Sequence, residues 1–135
     1  MPLVQWSSNL SVGVPSLDAE HKQLLELINK MHEAMQRGEG KTVVANILDQ
    51  LIRYTQTHFK HEEEIMAKTR YPQAAVHSLH HNQLTKKVLE LQKELANGSV
   101  SVTLEVMNFL KSWLQDHIIK MDKLYTHHFQ NNGVQ

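Results

Sequence analysis

Core-type positions recur at alternating spacings of four and three through four successive stretches of this chain. That period puts each set on one face of an α-helix. The first set is Leu17, His21, Leu24, Ile28, Met31 and Met35. The second is Val44, Leu48, Leu51, Thr55, His58, Glu62 and Ile65. The third is Ala74, His77, His81, Leu84, Val88, Leu91 and Leu95, and the fourth is Val106, Leu110, Trp113, His117, Met121 and Leu124. Punctuation falls between them. Gly38-Glu39-Gly40 ends the first, Pro72 breaks before the third, and Asn97-Gly98 closes the third. The spacing predicts helices at about 18–37, 41–68, 73–96 and 102–130, with Asp18 or Ser16 and then Ser101 as N-caps. Short connections make neighbours antiparallel, so the expectation is an all-α, up-down-up-down four-helix bundle. Residues 1–16 form an irregular arm that should pack through Leu3, Trp6 and Leu10, and the tail from Asn131 should fray. All 135 residues are expected to make one domain.

Composition removes several functions. Fourteen basic and fourteen acidic residues cancel, and they are spread evenly, so no surface for nucleic acid is expected. No apolar run is long enough to span a membrane, and the N-terminus has no signal-peptide pattern, so the expected compartment is the cytoplasm. Cysteine is absent, which excludes disulfides, iron–sulfur clusters and thiolate zinc sites. Ten histidines remain.

His21, His58, Glu62, His77, His81 and His117 occupy positions where leucine is ordinary. Burying each without a partner costs roughly 1–3 kcal/mol, against a net stability of about 5–15 kcal/mol for a whole domain. Their heights agree. His21 lies about 18 residues before the first connection, and His58 and Glu62 about 19 and 23 after it. His77 and His81 lie about 21 and 17 before the Gly98 turn, and His117 about 19 after it. All four helices therefore bring these groups to one level. Asp122 is a second carboxylate candidate. It is five residues past His117, about 140° away on a regular helix, so a π-bulge is expected to bring it into line.

Five imidazoles and two carboxylates exceed one metal and suit two, with the carboxylates as bridges. Nitrogen and oxygen donors without sulfur fit iron, with manganese or zinc as alternatives. Seven protein ligands, two of them bridging, leave one position open for a small external ligand.

At these residues the sequence resembles the hemerythrin family, in particular its single-domain bacterial members. The resemblance runs from Trp6 and Gly13-Val14…Leu17-Asp18-x-x-His21 through His58-Phe59-x-x-Glu62 and His77-x-x-x-His81 to His117-x-x-x-x-Asp122. It implies a non-haem pair of iron ions, cycling between Fe2+ and Fe3+, that binds O2 reversibly. One iron would take His77, His81 and His117. The other would take His21 and His58 and keep the open position. Glu62 and Asp122 would bridge, beside an oxo or hydroxo group. Leu24, Phe59, Trp113, Leu114 and Ile118 flank these residues and would form a dry pocket over the open iron.

The remaining polar groups have plainer expectations. His61 and His80 should point away from the site and be exposed. Glu63 and Glu64 should be solvated, Asp18 a cap, and His32 a satisfied polar group at the far end. His127 and His128 sit near a helix C-terminus, where positive charge is favoured. Met31, Met35 and Met121 should fill core. Among functions, an O2 carrier or store without chemical turnover stands first, with delivery to an oxygen-consuming enzyme as its use. An O2, nitric oxide or redox sensor would need a separate partner. A di-iron peroxidase or oxidase is disfavoured, because Glu-x-x-His, the ferritin-like signature, is absent and histidine outnumbers carboxylate. A monomer is expected.

Overall fold

Two Schellman turns, an N-terminal proline and a break at Met121 set where the helices begin and end. The computed structural model describes residues 3–39, 41–98 and 104–135. They form α1 (Pro15–Gln36), α2 (Lys41–Thr69), α3 (Ala74–Ala96), α4 (Leu104–Lys120) and a short α5 (Thr126–Asn131). Ser8–Leu10 and Asp122–Tyr125 are 3-10 turns. The four long helices make an antiparallel bundle. Helix α1 packs on α2 and α4, and α2 on α3. Trp113 Nε1–H donates to the Leu84 carbonyl at 3.2 Å, tying α4 to α3.

Helix α1 starts earlier than the expected Asp18 or Ser16 cap. Val14 is the N-cap and Pro15 the first helical residue. Proline has no N–H to leave unsatisfied and its φ is already helical, so no polar cap is needed there. Asp18 sits instead in the first turn, where its charge meets the positive end of the helix. It accepts from Val12 N–H at 2.8 Å and from the Ser11 hydroxyl at 2.6 Å.

At the other end of α1, Gly38 (φ 68°) lets Glu39 N–H reach the Ala34 carbonyl and Gly38 N–H the Met35 carbonyl. Helix α2 closes the same way, with Tyr71 N–H on Met66 and Arg70 N–H on Ala67. Here the left-handed position is held by Arg70 at φ 56°. The expected Ser101 cap, and the start of the fourth helix at 102, lie outside the described residues.

The fourth helix does not run to 130, and it holds no π-bulge. Met121 N–H bonds the His117 carbonyl at 2.9 Å in ordinary α-helical register. At Met121 (φ −113°, ψ −52°) the chain then leaves the helix and starts the 3-10 turn on a new axis. The 140° expected between residues five apart holds only on one cylinder, so the break removes the need for widening. It also turns Leu124 outward to 62% exposure and leaves Met121 half-buried, where both were expected in the core. Tyr125 and Phe129 fill that space and are fully buried.

The arm is clamped from both sides. Asn29 on α1 exchanges two hydrogen bonds with the backbone of Val4, at 2.9 and 2.7 Å. Thr126 and Gln130 of the last turns donate to the Val12 and Gly13 carbonyls at 2.6 and 2.9 Å. Gly13 has φ 72°, and a Cβ there would lie 2.6 Å from Gln130 Nε2. Leu10, Val12 and Val14 are buried, and Leu3 and Trp6 pack partly against the core. The tail is not frayed over its first residues, since Val134 N–H bonds Phe129 and its side chain packs on the core.

Candidate metal centre

The bundle axis brings His21 from α1, His58 and Glu62 from α2, His77 and His81 from α3, and His117 from α4 to one level, and the 3-10 turn adds Asp122. None is more than 2% exposed. Their donor atoms fall into two groups, each lying within 4.8 Å of one another. One group is Glu62, His77, His81, His117 and Asp122; the other is His21, His58, Glu62 and Asp122.

Both carboxylates belong to both groups; Asp122 faces each with a different oxygen, while Glu62 Oε1 faces a histidine of each. Asp122 Oδ1 lies 3.0 Å from His77 Nε2 and 2.9 Å from His117 Nε2, while Oδ2 lies 3.0 Å from His21 Nε2. Glu62 Oε1 lies 3.1 Å from His81 Nε2 and 3.5 Å from His58 Nε2, and Oε2 lies 3.6 Å from His21 Nε2.

These distances are short, yet most of the atoms are not hydrogen-bonded. Nε2 of His21, His58, His81 and His117, Oε1 of Glu62 and Oδ2 of Asp122 are buried without a partner of proper angle. Lone pairs aimed at a common space, not at one another, fit cations. Left empty, each atom carries a desolvation cost of about 1–3 kcal/mol. The donor set is imidazole and carboxylate only, which suits iron, manganese or zinc.

The charges are mutually dependent. Burial and the Asp122 charge push the Glu62 carboxyl up, but His58, His21 and His81 outweigh them and hold it below its usual range. Burial likewise raises Asp122, and His117, His21 and His77 override it and take it well down. Burial lowers His21, while the Asp122 and Glu62 carboxylates close to its ring carry it up to about 10. Without a cation, protons on histidine do the neutralising.

A second layer holds the rings. Glu20 on α1 accepts from His58 Nδ1 at 2.5 Å and His61 Nδ1 at 2.7 Å. Burial raises the Glu20 carboxyl, and the two histidines bring it net below its usual value. Glu63 accepts from His81 Nδ1 at 3.2 Å and from the Ser78 hydroxyl at 2.5 Å. The Tyr125 hydroxyl donates to Glu62 Oε2 at 2.5 Å. Burial and the Glu62 charge push that phenol well up, keeping it a donor. Phe59 stacks face to face on His81 at 3.8 Å. With Leu24, Trp113, Leu114 and Ile118 it is buried.

Several plainer expectations change. Glu63 is not simply solvated, because α3 presents His81 and Ser78 to it. His61 is only partly exposed, because α1 brings Glu20 alongside. His80 is half-buried with its ring stacked on His117 at 5.0 Å. His32 is buried with Nδ1 lacking a partner, so that atom is not satisfied. His128 bonds the Thr69 carbonyl at 2.7 Å and pins α5 to the end of α2. Glu20 and Tyr125 were not foreseen. A glutamate beside a ligand histidine and a tyrosine three residues past Asp122 were the available signals, and neither is specific.

The model of the hemerythrin HHE cation binding domain matches residues 12–127. The chain belongs to the hemerythrin family. A bacteriohemerythrin of Methylococcus capsulatus is 34% identical over 126 residues, covering 93% of this chain and 95% of that protein. One from Stenotrophomonas maltophilia is 31% identical over 125 residues, covering 93% of this chain and 80% of that protein. The crystal structure of a wild-type hemerythrin superposes with a TM-score of 0.86 at 33% identity, covering 93% of this chain and 96% of that one. The hemerythrin fold and a buried donor cluster suited to cations thus occur together. Among the described residues, no helix is long and apolar enough to cross a membrane.

Proposed function

We propose that this hemerythrin-family chain binds O2 reversibly at a carboxylate-bridged pair of iron ions, for transport, storage or delivery to an oxygen-consuming enzyme. The observation that carries it is the division of Glu62 and Asp122 between two groups of buried imidazoles. His77, His81 and His117 would hold one iron, and His21 and His58 the other, with a position left for O2. Glu62 and Asp122, which belong to both groups, would serve both ions. Bound there, the iron pair would supply the electrons that O2 takes up on binding and returns on release.

The protein's own part is positioning and exclusion. Leu24, Phe59, Trp113, Leu114 and Ile118 keep water and stray protons from the free position, which favours release over loss of reduced oxygen. Tyr125 fixes the plane of Glu62 by donating to Oε2. Glu20 and Glu63 orient rings from behind. The setting in this reading is a monomer in the cytoplasm.

The test is an anaerobic titration of reduced, iron-loaded protein with O2, followed by argon purging. Two irons per chain, with charge-transfer absorption that rises with O2 and fades on purging, are expected. Absorption that persists, or peroxide released in stoichiometric amounts, would replace the carrier with an oxidase.

A further inference from the structure

Behind the ligand rings, the two halves of the site are not braced alike. On the His58 side, Glu20 spans from α1 to α2 and splits its oxygens between His58 Nδ1 at 2.5 Å and His61 Nδ1 at 2.7 Å. On the His81 side, Glu63 approaches Nδ1 at 3.2 Å, and its other oxygen is taken by the Ser78 hydroxyl. The Nδ1 atoms of His21 and His117 are buried with no partner. Among His21, His58, His81 and His117, His58 has the short, charged brace.

We propose that Glu20 is a positioning residue that makes His58 the strongest imidazole donor in the centre, and that His61 is the latch that keeps Glu20 in place. This rests on the di-iron reading above and deepens it, since His58 belongs to the half with the free position.

A carboxylate only accepts, so each nitrogen facing Glu20 carries its proton. That settles the His58 tautomer: Nδ1 is protonated and Nε2 is left with a lone pair. Nε2 is the atom that faces the site and lacks a hydrogen-bond partner. A carboxylate pulling on Nδ1–H pushes electron density onto Nε2 and raises its strength as a ligand, and it fixes the ring's rotation. A richer donor favours the ferric state on that iron, which is the state that holds O2.

The latch follows from exposure. Glu20 is 24% exposed and long enough to swing into water. His61 is one turn from His58 and 38% exposed, at the rim. It engages the second oxygen, so Glu20 is held at both ends of its carboxylate. Glu62, the residue after His61, points inward and is fully buried, so α2 offers one face to the metals and another to Glu20. A plain inter-helix tie between α1 and α2 would also produce these contacts, but it would affect stability and not the iron.

The experiment compares the full chain with Glu20→Gln and His61→Phe, loaded with Fe2+ under argon. Iron per chain, the rate of iron loss to a chelator, the reduction potential and the melting temperature of the metal-free protein are measured. In Glu20→Gln the amide still accepts one bond but carries no charge. The expected result is about 10–100-fold weaker hold on one iron, a raised potential and faster O2 release. His61→Phe keeps a ring at the rim and is expected to move the same quantities the same way by several-fold. A changed melting temperature with unchanged potential and iron loss in Glu20→Gln would overturn the proposal and leave a structural tie. If Glu20→Gln takes up too little iron to measure, His61→Phe decides by the same criterion. A wild-type chain that holds fewer than two irons would sink the di-iron reading itself, which is a separate outcome.

Discussion

Toward the α1–α2 turn, core positions carry Met31, Leu48, Val88 and Met107; toward the opposite end, the stripes carry His21, His58, Glu62, His77, His81 and His117. Both sets are buried. At the apolar end each side chain contributes roughly 1.5–3 kcal/mol by leaving water, whatever is bound. At the ligand end the unpartnered donors oppose folding until a cation meets them. One half of the bundle is a scaffold, and the other is a charge whose sign and stability depend on what occupies it. Metal binding and folding are coupled at that end.

The largest expected effect comes from one of the two residues that both donor groups share. Asp122→Asn removes a charge from each group, so iron content per chain should fall to near nothing while helix content by circular dichroism persists. Retention of a full complement of iron would show that the two groups do not depend on a common carboxylate.

Stability of the metal-stripped protein against pH comes next. Glu62 and Asp122 are held below their ordinary values of 4.5 and 3.8. Their contribution is present above those values and is lost as pH falls through the lower folded ones. His21 is raised from 6.5 to about 10. Its contribution is complete below 6.5 and is lost as pH rises through 10. Melting temperature should therefore fall on both the acid and the alkaline side. A profile flat from neutrality to beyond pH 10 would contradict the network.

A truncation at the scaffold end should behave differently. Met107→Ala removes a fully buried side chain and should cost about 2–5 kcal/mol in denaturant unfolding. Iron content should not change and the pH profile should only move down. Lost iron in this variant would mean the two ends are not separable.

The smallest effect is a gain. Arg70 closes α2 at φ 56°, a conformation that costs a residue with a Cβ about 1–2 kcal/mol. Arg70→Gly should recover about 1 kcal/mol or less, since glycine also loses more chain entropy on folding. A raised melting temperature with unchanged iron binding would show that the ligand end can be stabilised through the backbone alone.

The bundle was legible because each stripe is a local pattern, and the level of the six stripe ligands followed from counting along helices of fixed rise. Asp122 was legible as a chemical candidate but not as a geometry. Its position depends on a break at Met121, and no proline or glycine in that stretch signals one. The same break exposes Leu124, which reverses an expectation built on uninterrupted periodicity. Glu63 reads in the sequence as one of two solvated glutamates, but α3 places His81 and Ser78 against it.

By itself the sequence determined the helical period, the depth of the histidines and the absence of sulfur ligands. These are properties of a residue and its near neighbours, and the helix carries them intact. Only the tertiary structure decided which oxygen of Asp122 serves which group, that Glu20 spans α1 to α2, and that Tyr125 reaches Glu62. Those pairings depend on how far each helix is rotated and shifted against the next. Such offsets are settled by the packing of all the side chains together, at a scale finer than one residue's rise.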